Sequence, residues 1–197
     1  MDGTTKYLFD FYGVLLQGHN AQDRRNLEQI VGAKDPEKFW TVFDELRPVL
    51  DAGLVSEERW WEQVRVRVGL PHFDFAEAVA ADFDTCLDIN EDVVACALEL
   101  VDGGATVGAL SNIPLGLARR VREKHTWLED FAAVTLSCDI GLAKPDPRAY
   151  EVAVDAMGGG AKNTLFIDDR TDNLAGARAV GLQTHLFESL DGLRAVL

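Results

Sequence analysis

The chain is short of positive charge. It has 19 lysines and arginines against 33 aspartates and glutamates, a formal net charge of −14 over 197 residues. Such a surface repels phosphate backbones and anionic lipid headgroups, so neither nucleic acid nor a membrane surface is expected as a partner. Long apolar runs are missing too, and no stretch nears the roughly 18 residues that suggest a membrane-spanning helix. No basic-then-apolar leader opens the sequence, so a cytoplasmic location is the expectation. Cysteine is scarce and scattered. Cys86, Cys96 and Cys138 are odd in number and form no CxxC pair, which argues against a disulfide framework or a zinc site and for buried, reduced thiols. There is no internal repeat, low-complexity segment or long linker. What is present is a hydrophobic content of 47%, enough to bury one full core that carries an elaboration.

Residues 6–16, KYLFDFYGVLL, orient the rest. Tyr7, Leu8 and Phe9 form a dense apolar run of the kind buried on both faces of a parallel sheet. It drives into a carboxylate at Asp10, and Gly13 soon after lets the backbone turn. An acid at the carboxyl end of such a strand stands where open α/β sheets bind their ligands, which makes Asp10 the candidate reacting group. By itself an aspartate after a strand is more often a turn former.

From about residue 21 to 87 the pattern is helical. One helix is expected over 23–31. Asp35 and Pro36 open a second with a capping residue and a proline at the first helical position. Ser56, followed by Glu57 and Glu58, caps a third that carries Trp60 and Trp61 and stops at Gly69; a fourth starts near Phe75. An all-helical insertion beside a catalytic strand end is placed to act as a lid. Beyond it, strands over 105–110, 133–137, 164–167 and 183–187 alternate with helices. That alternation predicts a parallel sheet with right-handed crossovers. The expected division is an α/β core over residues 1–17 and 88–197 and a helical cap over 18–87.

Polar residues fall at the carboxyl ends of these strands. Asp10 follows the first, Ser111 the second, and Asp168 with Asp169 the fourth, while Lys144 lies at a helix start after the third. Those ends share one sheet edge, so the groups converge. Crowded carboxylates repel unless a cation lies between them, and hard oxygen ligands suit Mg²⁺. A metal and a lysine in one acidic pocket imply an anionic substrate group, most simply a phosphate. Ser111 can donate to phosphate oxygens at a strand-to-helix turn, and Asp10 can attack phosphorus to form an aspartyl-phosphate that water hydrolyses.

Four segments, FDFYGV at 9–14, LSN at 110–112, KPDPRAY at 144–150 and IDDRTDN at 167–173, resemble the motifs of the haloacid dehalogenase (HAD) superfamily in the same order. Residues 53–71 are similar to the cap of the branch holding glucose-1-phosphatase-like enzymes and the N-terminal phosphatase domain of soluble epoxide hydrolase. The resemblance implies a Rossmann-like sheet of strand order 5-4-1-2-3 with an inserted helical cap, and a small phosphorylated metabolite, such as a sugar phosphate, as substrate. It implies that Asp10 is nucleophile and metal ligand, that Tyr12 lends its backbone carbonyl to Mg²⁺, and that Asp168 and Asp169 complete the metal site. Ser111 and Asn112 would hold the phosphate and Lys144 would neutralise its charge. Asp172 and Asn173 would orient Lys144 or a water on the metal. A monomer and a homodimer fit equally.

Tyr12 departs from the family pattern. Most of its phosphatases carry a second aspartate there, as acid to the leaving group, and losing such a donor lowers the rate by roughly 10²–10⁴-fold with a poor leaving group. Three readings follow. Tyrosine donates sluggishly at a pKa of about 10; or the leaving group departs unaided, as from a sugar 1-phosphate or acyl phosphate; or the nucleophile attacks carbon, as in 2-haloacid dehalogenases, which carry tyrosine at this position. Those enzymes need no metal, and Asp168 and Asp169 would only burden Asp10 in them. A weakly active or non-catalytic phosphometabolite-binding protein is the other alternative. At least one of the neighbours Trp60 and Trp61 is expected to pack inside the cap. Arg47 reads as a surface arginine and His19 as a loop residue, neither with an assigned role.

Overall fold

The computed structural model describes residues 5–197. At its centre is β1 (Lys6–Phe9), in which Leu8 and Phe9 have no exposed surface. It pairs in parallel with β2 (Thr106–Ser111) on one side and β4 (Thr164–Asp168) on the other. The edges are β3 (Ala133–Leu136) and β5 (Gln183–Leu186), giving β3-β2-β1-β4-β5, which is the expected order read from the other edge. Phe9 stands level with Ala109 and Ile167, so Asp10 and Asp168 leave the sheet side by side.

Alternation along β1 sorts two layers. Tyr7 and Phe9 face α5 (Glu91–Asp102) and α6 (Leu115–Lys124) through Val93, Ala97, Leu117 and Val121. Leu8 faces α8 (Pro147–Ala156) and α9 (Thr171–Ala179) through Tyr150, Ala153 and Leu174. A four-residue helix, α7 (Ser137–Ile140), follows β3.

Between β1 and α5 lie α1 (Ala21–Val31), α2 (Pro36–Asp51), α3 (Glu57–Val68) and α4 (Phe75–Asp84), with a hydrophobic cluster of their own. Asp35 caps α2 ahead of Pro36, and Ser56 caps α3 by accepting from Arg59 N–H. α1 starts two residues earlier than expected. Asn20 and Asp23 form a reciprocal capping box there, a signal that the apolar periodicity did not carry. Trp60 and Trp61 are both fully buried, packed edge to face with ring centroids 5.0 Å apart. Adjacent helical residues point about 100° apart, and both are covered because Phe43 packs on one and Phe73 on the other. The chain enters and leaves this insertion at one place: Gln17 N–H donates to Asp88 O at 2.8 Å, and Leu16 bridges Ile89. Among the described residues, no helix is long and apolar enough to cross a membrane.

Candidate active site

Asp10 emerges from β1 with its N–H still bonded to Ile167 O at 2.9 Å. Its side chain is then held at one oxygen. Phe11 N–H donates to Oδ1 at 2.7 Å, and Lys144 Nζ lies 2.7 Å from the same atom. Among the described residues no donor reaches Oδ2, which leaves one oxygen uncommitted. Lys144 also lies 2.8 Å from Asp168 Oδ2, so one ammonium bridges two buried carboxylates. Asp168 is fully engaged: Asn173 Nδ2 donates to both oxygens at 3.0 Å and Arg170 N–H to Oδ1 at 2.8 Å. Asp169 is exposed, and one oxygen each of Asp10, Asp168 and Asp169 fall within 4.8 Å of one another.

This crowding shows in the acidities. Burial pushes the Asp10 carboxyl well above its usual range; Lys144 pulls it back and Asp168 adds to the rise. Asp169, although exposed, is raised by partial desolvation beside the other two acids and then by the charge of Asp168. Burial works against the Lys144 ammonium, yet Asp10 and Asp168 outweigh it and raise its pKa, so it stays charged. Three carboxylates against one ammonium leave two negative charges, which one divalent cation balances. The donor set is all hard oxygen, and the residues therefore fit Mg²⁺. Gly13 makes the approach feasible. Its φ is +84°, and a Cβ there would lie 2.2 Å from Asp169 Oδ2.

Ser111 ends β2 with no exposed surface, and among the described residues its Oγ makes only a long 3.4 Å contact to Asn112 O. The side chain of Asn112 is taken up elsewhere. Its Nδ2 donates to Lys144 O at 2.8 Å and its Oδ1 accepts from Lys144 N–H at 2.7 Å. What Asn112 still offers an anion is its main-chain N–H, a narrower part than the expected one. Asp172 is exposed in the first turn of α9 and makes no side-chain hydrogen bond or ion pair among the described residues. It is not brought to Lys144; its neighbour Asn173 faces inward instead.

The Tyr12 hydroxyl is buried and has no hydrogen-bond partner among the described residues. Burial, then the Cys86 thiol, push its pKa well above the ordinary value, with Arg47 opposing and Asp51 and Asp82 adding. It is a weaker acid than free tyrosine. Those neighbours form a network that sequence reasoning missed. Arg47 is not a surface residue: Nε lies 2.8 Å from Asp51 Oδ1 and Nη1 2.8 Å from Asp82 Oδ2. His19 Nε2 lies 3.1 Å from Asp82 Oδ1. Only the Arg47–Asp51 spacing of four was visible as a signal.

Burial pulls the His19 pKa down, but its bonds to Asp82 and Cys86 prevail and push it up to about 10. A histidine raised in the folded state stabilises below its unfolded pKa, and that contribution is lost as pH rises through the folded one. Chemical denaturation from pH 7 to pH 10 is expected to show a steeper loss of stability in the parent than in a His19→Gln variant. Identical slopes would mean that His19 is neutral in the fold.

Over 184 residues the chain is 27% identical to a sesquiterpene phosphatase of Aspergillus oryzae, covering 93% of this chain and 90% of that one. It is 40% identical over 86 residues to a phosphatase of Mycobacterium tuberculosis, covering 43% of this chain and 40% of that one. A HAD family enzyme of Bacteroides thetaiotaomicron superposes with a TM-score of 0.81 at 25% identity, over 98% of this chain and 99% of that one. That enzyme has also been crystallised with magnesium and inorganic phosphate. Residues 7–181, which span every strand end just described except that of β5, match the haloacid dehalogenase-like hydrolase family, and the chain belongs to it.

Proposed function

We propose that the protein is a Mg²⁺-dependent phosphatase that transfers the phosphoryl group of a small phosphorylated metabolite to Asp10. The observation that carries this reading is the uncommitted Asp10 Oδ2 beside two further converging carboxylates and a bridging ammonium. Phosphatase-named relatives, and a neighbour crystallised with magnesium and phosphate, support it.

Oδ2 of Asp10 attacks phosphorus, and the bond from phosphorus to the leaving oxygen breaks as the new one forms. The leaving oxygen takes a proton from solvent. Water then attacks the same phosphorus and sheds a proton to solvent as the bond from Asp10 Oδ2 to phosphorus breaks, releasing phosphate and restoring the carboxylate. Lys144 stays protonated throughout, opposing the charge on the transferring oxygens and keeping Asp10 ionised. Ser111 Oγ and Asn112 N–H hold phosphate oxygens, while the side chains of Asn112 and Asn173 fix Lys144 and Asp168. Asp10, Asp169 and the Tyr12 carbonyl, with Asp168 beside them, would hold Mg²⁺, which when bound would supply positive charge against the phosphate. Residues 18–87 act as a cap over a core of residues 1–17 and 88–197, excluding water from the site.

Tyr12 sets the substrate class. A buried phenol, whose ordinary pKa is about 10, can donate a hydrogen bond but hands over its proton far less readily than the carboxylic acid most family phosphatases carry at this position. The natural leaving oxygen is therefore weakly basic, as in a sugar 1-phosphate or an acyl phosphate. The test is kcat/KM over aryl and alkyl phosphates of graded leaving-group basicity, with Mg²⁺ and with EDTA. Release should vanish in EDTA, and alkyl phosphates should lag nitrophenyl phosphate by roughly 10²–10⁴-fold. A flat series would assign Tyr12 or another group as an effective acid; undiminished release in EDTA would remove the metal.

A further inference from the structure

Ser137 opens α7 with no exposed surface. Its Oγ accepts the Ile113 N–H at 2.8 Å and lies 2.5 Å from the carbonyl oxygen of Asp51. A hydroxyl has one proton, and the shorter contact takes it, since Ile113 O is 3.4 Å away. The two groups joined in this way belong to different parts of the fold. Ile113 follows directly on Ser111 and Asn112, the latter clamped to the backbone of Lys144. Asp51 is the last residue of α2 and carries the carboxylate paired with Arg47. A second contact bears on the same seat. A Cβ on Gly53 would stand 3.0 Å from the carbonyl oxygen of Cys138, so the end of α2 rests on α7 without slack.

We propose that Ser137 is a positioning residue, whose hydroxyl makes the seating of α2 on α7 and the setting of the loop at residues 111–113 a single event. This role rests on the phosphatase reading. Lifting α2 takes the acceptor from the Ser137 proton, and relaxing the loop takes the donor from its oxygen. Each break leaves a buried polar group unpaired and weakens the remaining bond, because the two bonds share one hydroxyl and polarise each other. Substrate binding is thereby coupled to the state of the insertion through one side chain that touches neither substrate nor metal.

The test is calorimetric binding of inorganic phosphate in the presence of Mg²⁺ to the parent, Ser137→Ala and Ser137→Thr, with amide exchange followed at Ile113. Ser137→Ala should raise the phosphate Kd about tenfold, the scale of one buried donor left unpaired, and speed exchange at Ile113. Ser137→Thr keeps the hydroxyl and should return Kd to within about threefold of the parent. Should Ser137→Ala fail to fold, Ser137→Cys, close to serine in volume but a poor hydrogen-bonding group, gives the same comparison. Glu57→Ala is the control. Glu57 accepts from Gly116 N–H at 3.0 Å, a contact between the insertion and α6 that bypasses Ile113, and its loss should leave phosphate binding unchanged.

Parent-like Kd and exchange in Ser137→Ala would overturn the proposal. So would a Glu57→Ala variant that weakens phosphate as much, because general loosening of the insertion would then suffice. A parent that binds no phosphate with Mg²⁺ overturns the phosphatase reading and this role with it, an outcome distinct from the other two.

Discussion

The Asp10→Asn variant should lose phosphate release by at least about 10⁴-fold, the scale on which removal of a catalytic nucleophile acts. It should do so while folded. The amide has the shape of the carboxylate, and its oxygen can still receive Phe11 N–H and face Lys144 as Oδ1 does now. What disappears is the anionic oxygen that attacks, together with a buried charge that desolvation and Asp168 make unfavourable. The variant's thermal midpoint in metal-free buffer should therefore match or exceed the parent's, and inorganic phosphate should still bind. Phosphate-release kinetics with a thermal melt decide it. A folded variant that keeps more than about a hundredth of the parent rate would place the nucleophile elsewhere.

Lys144→Met should lower the rate by roughly 10²–10³-fold, as loss of one positioned donor to developing charge does. Its effect on stability is more distinctive. Removing the shared cation leaves Asp10 and Asp168 facing each other in a buried site, which costs about 3–5 kcal/mol when one partner of a buried pair is deleted. The sign with pH follows from the raised Asp10 pKa. A carboxyl raised in the folded state is tolerated below its unfolded pKa of about 4 and becomes a burden as pH rises past it. The deficit of the variant should thus be small in acid and grow toward neutrality. Added Mg²⁺ should raise the thermal midpoint of Lys144→Met more than that of the parent, since the dication then balances the acids alone. Equal stability of variant and parent at neutral pH without metal would deny Lys144 its part as counter-charge.

The sheet was legible because its signals are local. A dense apolar run ending in Asp10, regular alternation of helix and strand, and caps such as Asp35 with Pro36 are written in adjacent residues. Which strand lies beside which is less local, and the order came with the resemblance of the four motifs. The side-chain partnerships were mostly hidden. Arg47 looked like a surface residue because Asp82 is far away in sequence, and only the folding of the four inserted helices brings the two together in the dry. Asn112 could be placed at the site but not given its partner, since its amide meets the backbone of Lys144 and no residue type announces that. Ser137 raised no flag at all. A serine after a strand is an ordinary turn former, and both groups it joins are main-chain atoms. Asp172 and Asn173 could not be told apart by motif, and one step along α9 turns the first outward and the second onto Asp168.

The paired crossing of the chain at Gln17–Asp88 and Leu16–Ile89 bears on how such a protein can diversify. Seen from the sheet, everything between those residues enters and leaves through a doorway one hydrogen bond wide. A segment attached in this way behaves as a cassette. It can be lengthened, shortened or exchanged without re-threading a strand or stretching any other connection, because its ends already meet. On the proposed reading, with Asp10 reacting and the insertion recognising substrate, a lineage can therefore revise the cassette while the carboxylate, its lysine and the acids opposite stay in the sheet.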